Sequence, residues 1–359
     1  MKQTFTKFVF SFLLVISLTV TTHCSNNGIT NDNTKGIQRS EIILIADQFA
    51  RVHWYMSEEN IHAGGCATNN NFTSDYPVGP RIGVGYKWSG WEDVEVFLQK
   101  IYDGYGTGTG GYVTYERMEI SPDCFTGVSC TGLVSKTWRL EKKYTLNYGP
   151  TVDAPQFSEL TTEISYDELK KGDALINAEH IMLYAYTNRD GVIMVFDSAI
   201  RGVSFRSIPW SYLNSKNTIP IKFNYVTEND NEQGTIANPF MIDFTDGQFT
   251  HAGNTRNVVS MEFDTYSITP ENNETGPECI YQLNINSNVS LNISIIDIKD
   301  EGIDNNIYLL TSLDAENYTT NNCIAWGDNN INIQLSEGTY FIVVDSGNNL
   351  PGEYVLTIE

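Results

Sequence analysis

Two residue types in this chain can together make a nucleophile: Cys130, and His180 in an apolar, strand-like run further on. A cysteine and a histidine that meet in space supply a thiolate and its base. Cys130 stands in Ser129-Cys130-Thr131-Gly132-Leu133-Val134, followed by Thr137 and Trp138. Leu133, Val134, Thr137 and Trp138 recur at the i, i+3/i+4 spacing that gathers apolar residues on one helix face, and Ser129 is a suitable N-cap. The spacing predicts a helix that begins at Cys130, and the positive end of a helix dipole favours a thiolate. A cysteine can equally be a small buried hydrophobe and a histidine a satisfied core residue, so the pair needs support from its surroundings.

The elements that must position the pair are legible on either side of it. Upstream, Gly83-Val84-Gly85-Tyr86-Lys87-Trp88-Ser89-Gly90-Trp91 reads as a loop feeding a short helix over 94–101. Before the histidine, Leu169-Lys170-Lys171-Gly172-Asp173 is a charged turn opening a strand at 174–176. After it, apolar runs at 181–186 and 192–197 flank the turn Asn188-Arg189-Asp190-Gly191 and predict a hairpin.

This order of an aromatic-glycine loop, a cysteine on a helix, a Gly-Asp strand and a histidine hairpin resembles the NlpC-type cell-wall peptidases. The resemblance covers about residues 40 to 225 and implies an α+β, papain-like domain. It implies Cys130 as nucleophile, His180 as general base, Tyr86 as the tyrosine beside the thiol, and Trp88, Gly90 and Ser129 as substrate contacts. The polar residue that orients the imidazole falls on Asp197, although a strand-end turn former is the alternative for that position. A carboxylate there fixes the tautomer and stabilises the imidazolium.

The chain departs from the family pattern at Ser129, Thr131 and Ser89, where Asp, Ser and Gly are usual. It also carries a long insertion before the nucleophile, with a glycine-rich run at 102–111 that reads as a lid or specificity loop, since it has no phosphate-loop lysine. Cys124, preceded by Asp123, is a rival nucleophile. Cys130 is preferred because it alone continues into an amphipathic helix.

The N-terminus is basic and then apolar over 8–20, too short a run to span a bilayer, so 1–23 is expected to be a secretory signal. Cys24 follows at once and is a candidate for lipidation, although Thr21-Thr22-His23 suits that cleavage poorly. Residues 24–39 are expected to be a flexible tether, the catalytic domain 40–226, an acidic linker 227–236 and a second domain 237–359. The linker is expected to leave few contacts between the two domains. Export permits disulfides, and the economical pairing is Cys66 with Cys124 and Cys279 with Cys323, leaving Cys130 free.

Beyond the linker the chain turns Asn-, Thr- and Ile-rich, with short apolar runs at 258–263, 280–285, 291–296, 307–310, 331–335, 340–344 and 354–358. Such spacing predicts an antiparallel β-sandwich, jelly-roll-like. Gly276-Pro277-Glu278-Cys279-Ile280-Tyr281, Cys323-Ile324-Ala325 and Glu337-Gly338-Thr339-Tyr340-Phe341 resemble the bacterial pre-peptidase C-terminal domain, which usually follows secreted hydrolases. Some relatives of that domain bind calcium, but its carboxylates here read first as solvated surface charge. The sequons at Asn71, Asn273, Asn288, Asn292 and Asn317 read as composition.

A net charge of −22 excludes phosphate-backbone binding, so no nucleic-acid partner is expected. Membrane contact is expected only through lipid on Cys24, and no cofactor is called for. The function expected is a secreted or lipid-anchored cysteine peptidase or amidase, acting on peptide bonds in peptidoglycan stems. A papain-like protease or acyl-transferase on other amides, or a non-catalytic wall-binding or adhesion protein, are the alternatives.

Overall fold

Two neighbouring strands with almost no polar residues organise the N-terminal half. In the computed structural model, which describes residues 36–62, 74–108, 124–146, 156–228, 232–257, 260–298 and 302–359, they are covered on both faces. The expected signal peptide, Cys24, Cys66 and most of the glycine-rich insertion lie outside the described residues.

Six antiparallel strands form the sheet: β1 (Thr161–Glu163), β2 (Ala174–Ile176), β3 (Ile181–Thr187), β4 (Ile193–Ala199), β5 (Gly202–Ile208) and β6 (Ile219–Phe223). Their spatial order is β1-β6-β2-β3-β4-β5. β3 and β4 are buried at every position but the last, which explains why they read as continuous apolar runs and not as an alternation. One face packs on helices α1 (Arg39–Arg51) and α3 (Cys130–Thr137), with Ile181, Leu183 and Phe196 in that core. The other face holds Met182, Tyr184, Ile193 and Val195 beneath the short helix Trp210–Ser215. A further helix, α2 (Val94–Tyr102), buries Phe97 and Ile101, with Phe97 edge-on to Trp54 at 5.2 Å.

Trp138 ties down the far end of α3. Its ring stacks on Phe223 of β6 at 4.8 Å, and its indole N–H donates to the Gly172 carbonyl at 2.9 Å.

The second half is a sandwich of two sheets. One contains β7 (Phe240–Met241), β9 (Glu278–Ile285), β14 (Gly338–Ser346), β11 (Asn305–Leu310) and β12 (Cys323–Gly327), in that order across the sheet. The other contains β8 (Phe249–Asn254), β15 (Glu353–Ile358), β10 (Val289–Asp297) and β13 (Asn330–Leu335). Tyr281, Leu283 and Ile342 from one sheet meet Leu291, Ile293, Leu356 and Ile358 from the other. Phe263 and Tyr266 then cover the outer face of the five-stranded sheet, and Tyr266 stacks on Tyr308 at 3.5 Å.

Three expectations need correction here. The run at 258–263 forms no strand among its described residues: Ser260 makes a single bridge to Glu278, while Phe263 serves as a lid on the sheet. β8 and β12, in contrast, are strands that apolar runs did not mark: β8 mixes Thr250, His251 and Asn254 among its apolar residues, and β12 is a short Cys323-Ile324-Ala325-Trp326-Gly327 segment whose Ile324 and Trp326 are exposed.

Cys279 and Cys323 are both free thiols, not a disulfide. They sit on β9 and β12, three strand spacings apart in the order β9-β14-β11-β12, which is about 14 Å. They also face opposite sides of that sheet, Cys279 the sandwich interior and Cys323 the Tyr266 layer. A disulfide needs Cα atoms within about 7 Å. Cys124 is disulfide-bonded, and Cys66, its expected partner, lies outside the described residues.

The two halves make more contact than an acidic linker suggests. Asp47 on α1 is fully buried and takes Arg51 at 2.7 Å, the Asn254 amide at 2.7 Å and Arg256 at 3.3 Å. Arg189 on the β3–β4 turn pairs with Asp264 at 2.6 Å, and the Tyr186 hydroxyl donates to Asn349 at 2.6 Å. The linker is crossed by a polar seam, so 237–359 is not an appendage.

Candidate active site

The site begins with two loops zipped together ahead of α3. Val128 donates to the Gly85 carbonyl at 3.0 Å, Ser129 donates to the Gly90 carbonyl at 3.1 Å, and Tyr86 bridges to Val128. β4 closes the same corner, because the Ser198 hydroxyl donates to the Val128 carbonyl at 2.8 Å. The Tyr86 backbone is therefore held beside Val128, two residues before the thiol.

Ser129 caps α3. Its backbone is extended (φ −90°, ψ 172°) and its hydroxyl accepts from the Gly132 N–H at 3.2 Å, so Cys130 is the first helical residue. Ser129 is buried, with that hydroxyl also near the Gly90 carbonyl and Thr131 at 3.1 Å, so its contacts lie within the fold. Gly90 must be glycine: a Cβ there would stand 2.3 Å from the Gly127 carbonyl oxygen. Ser89 carries a left-handed φ of 61°, and Trp88 before it is 55 % exposed.

His180 reaches the thiol from the turn between β2 and β3. The Asn177 side-chain carbonyl accepts from the His180 N–H at 3.0 Å, and the Asn177 N–H donates back to the His180 carbonyl at 2.9 Å. The His180 ring hydrogen-bonds Cys130 on one side and, through Nε2, Asp197 Oδ1 at 2.7 Å on the other. The structure thus brings Cys130, His180 and Asp197 together, with Asp197 fully buried near the end of β4.

The electrostatics follow from burial and partners. Burial alone pulls His180 down, but hydrogen bonding to Asp197 and Cys130 outweighs it and pushes the ring up to about 10. Burial raises the Asp197 carboxyl, yet its bonds to His180, with Arg206 behind it, hold it below its ordinary value. The buried carboxylate thus favours the imidazolium form of the ring.

Several contributors carry no motif. Arg206 on β5 sets Nε 3.0 Å from Asp197 Oδ2, with Nη2 on the same oxygen. Lys143 donates to the Ser89 hydroxyl at 2.8 Å; burial and nearby Lys87 push its ammonium down to about 8, although Cys130 pulls it up. Asn177 and Ala178 line a cavity of about 540 Å³ with Phe157, Ile176, Ile219 and Ile221. Only strand pairing and loop closure reveal these roles.

Cys124 is ruled out as the thiol by its disulfide, while Cys130 is a free, half-buried cysteine. The glycine-rich run is not uniformly a lid. Thr107 is fully buried and donates to the Tyr86 carbonyl at 3.0 Å, so 102–108 braces the Tyr86 loop, and 109–123 lies outside the described residues. No group of three His, Cys, Asp or Glu among the described residues is placed to hold a metal, and no helix among them is long and apolar enough to cross a membrane.

No family model matches the sequence, and no curated protein matches it. Among solved structures the chain is similar to the pre-peptidase C-terminal domain of a Bacillus anthracis collagenase, at 17% identity, with 37% of this chain and 100% of that one covered and a TM-score of 0.23. It is also similar to PliG of Aeromonas hydrophila, a periplasmic inhibitor of g-type lysozyme, at 13% identity, with 36% and 96% covered and a TM-score of 0.22.

Proposed function

We propose that this protein is an exported cysteine peptidase or amidase whose catalytic half is papain-like and NlpC-type, acting on peptide bonds of peptidoglycan stems. The single observation that carries this reading is the His180 ring, bonded to Cys130 at the first turn of α3 and to the buried Asp197 at 2.7 Å. The Cys130 thiolate attacks the amide carbonyl carbon. His180, already protonated, gives its proton to the departing amine, and water then releases the acyl group with His180 as base. The Cys130 N–H at the helix start is suited to support the oxyanion, and the resemblance implies that Tyr86 assists it. The stem peptide as substrate rests on the order of sequence motifs, and export rests on the basic and apolar N-terminus.

The test is digestion of purified wall fragments, with new termini identified by mass spectrometry. Wild-type protein should release peptides and the Cys130→Ala variant none; release of the same termini by Cys130→Ala overturns the reading.

A further inference from the structure

The buried carboxylate of Asp197 serves two cations through two different oxygens. Oδ1 takes the His180 ring, and Oδ2 takes the Nε and Nη2 edge of Arg206. The strand register sets this up. Asp197 on β4 pairs with Ser204 on β5, so Arg206, two residues further along, is its diagonal neighbour on the same face. Asp197 is wholly buried while the Arg206 side chain is 42 % exposed, so the guanidinium caps the carboxylate from the solvent side.

This arrangement answers a problem posed by the chemistry. A buried carboxylate with an imidazolium as its one partner on Nε2 stabilises the protonated ring so strongly that the proton on the other nitrogen, which has to leave for the amine during acyl transfer, is held back. A second cation on the other oxygen shares the negative charge, and two N–H groups from one rigid fork also stop the carboxylate turning. We propose that Arg206 is a positioning residue of the Cys130–His180 pair: it anchors Asp197 by one oxygen and tempers that carboxylate's hold on the ring. The role rests on the proposed cysteine chemistry, and its test separates the two.

The other charges around the pair are accounted for. Cys130 on α3 and Asp197 on β4 face the ring, Lys143 and Lys87 act on the Cys130 side, and Glu179 beside His180 is paired with Lys216 at 3.0 Å. Arg206→Gln removes a positive charge near the ring and returns Asp197 to His180 alone. Both changes favour the imidazolium, so the His180 transition should rise by about one unit or more.

The measurement is the His180 ring resonance followed by NMR against pH, assigned with His180→Gln, in Cys130→Ser protein with and without Arg206→Gln. Iodoacetamide alkylation of Cys130 against pH is its companion in wild-type, Arg206→Gln and Arg206→Lys protein. The expected result is an upward shift of the ring transition and of the alkaline limb of alkylation in Arg206→Gln, with part of the shift reversed by lysine. An unmoved His180 transition in folded Arg206→Gln protein overturns the role of Arg206 alone. If Cys130 instead alkylates below neutral pH no faster than Cys279 or Cys323, the Cys–His pair itself fails, whatever Arg206 does.

Discussion

Gly132, two residues after Cys130, lies so close to the upstream loop that a Cβ on it would stand 2.0 Å from the Gly90 carbonyl oxygen. That carbonyl also accepts the Ser129 N–H at 3.1 Å, so the approach sets the angle at which α3 leaves the loop and presents the thiol. Gly132→Ala should destabilise the protein by about 1–3 kcal/mol, the usual cost of overpacking. It should also slow alkylation of Cys130, because the helix start has to move. Urea unfolding and iodoacetamide kinetics check both; unchanged values would mean that the loop yields freely.

Cys130→Ala should leave the midpoint of unfolding close to wild type, because the residue is half-buried at the start of a helix and holds no covalent bond. Cys124→Ala should instead cost about 2–5 kcal/mol through loss of its disulfide. Thermal melts of the two variants with and without reductant separate the roles: reductant should shift wild type toward Cys124→Ala and leave that variant unmoved.

The polar seam between the halves makes a further demand. Arg256 is almost fully buried against Asp47, which has no exposed surface at all. Arg256→Ala leaves that carboxylate with Arg51 and Asn254 only, and should cost about 1–3 kcal/mol. Removal of 237–359 takes away Asn254, Arg256 and Glu353 together and should leave the N-terminal half unstable by itself. A truncated protein that melts like the full chain would refute this.

Stability should fall on the alkaline side, for two reasons that work in the same direction. His180 is raised to about 10, so the stabilisation from its ion pair is complete below its ordinary value of 6.5 and disappears as pH climbs through 10. Glu278 and Asp345 are direct cross-strand neighbours, both fully buried, and burial raises each carboxyl above its ordinary range. Groups raised in this way favour the fold while protonated and weaken it as pH rises through their folded values. Glu278→Gln should flatten the melting temperature between mild acid and neutrality, and His180→Gln should flatten it further up. A profile that rises steadily from pH 6 to pH 9 contradicts both assignments.

How much of this was legible beforehand depends on the distance over which the information acts. The helix at Cys130, its Ser129 cap and the β3–β4 hairpin were readable because periodicity and turn chemistry act within about ten residues. The Cys130, His180 and Asp197 alignment was readable from the order of motifs. Arg206 was not, since its role comes from a strand register that places it diagonally from Asp197, and nothing in Phe205-Arg206-Ser207 announces a partner. The error over Cys279 and Cys323 has the same source: an economical pairing takes no account of strand order or of which face of a sheet a residue meets.

The most discriminating substitution is Asp197→Asn. From the resemblance alone it would retain more activity than Asp197→Ala, because a neutral amide can orient an imidazole. The structure reverses that expectation. An amide offers one acceptor and one donor group where the carboxylate offers two acceptors, and Arg206, which only donates, claims the carbonyl oxygen. The NH₂ group is then left facing His180 Nε2, the nitrogen that contacts Asp197 at 2.7 Å. To accept from it, Nε2 must give up its proton and the ring must carry that proton on Nδ1, the nitrogen left to serve Cys130. The base is then in the wrong tautomer, whereas alanine leaves a water free to take either role. Asp197→Asn should therefore lower kcat at least as far as Asp197→Ala, by roughly 10²–10⁴-fold, with KM little changed. Adding Arg206→Gln to Asp197→Asn frees the amide to turn its oxygen toward the ring and should recover part of that loss. Higher activity in Asp197→Asn than in Asp197→Ala, unaffected by Arg206→Gln, would show that Arg206 does not govern the orientation of this side chain.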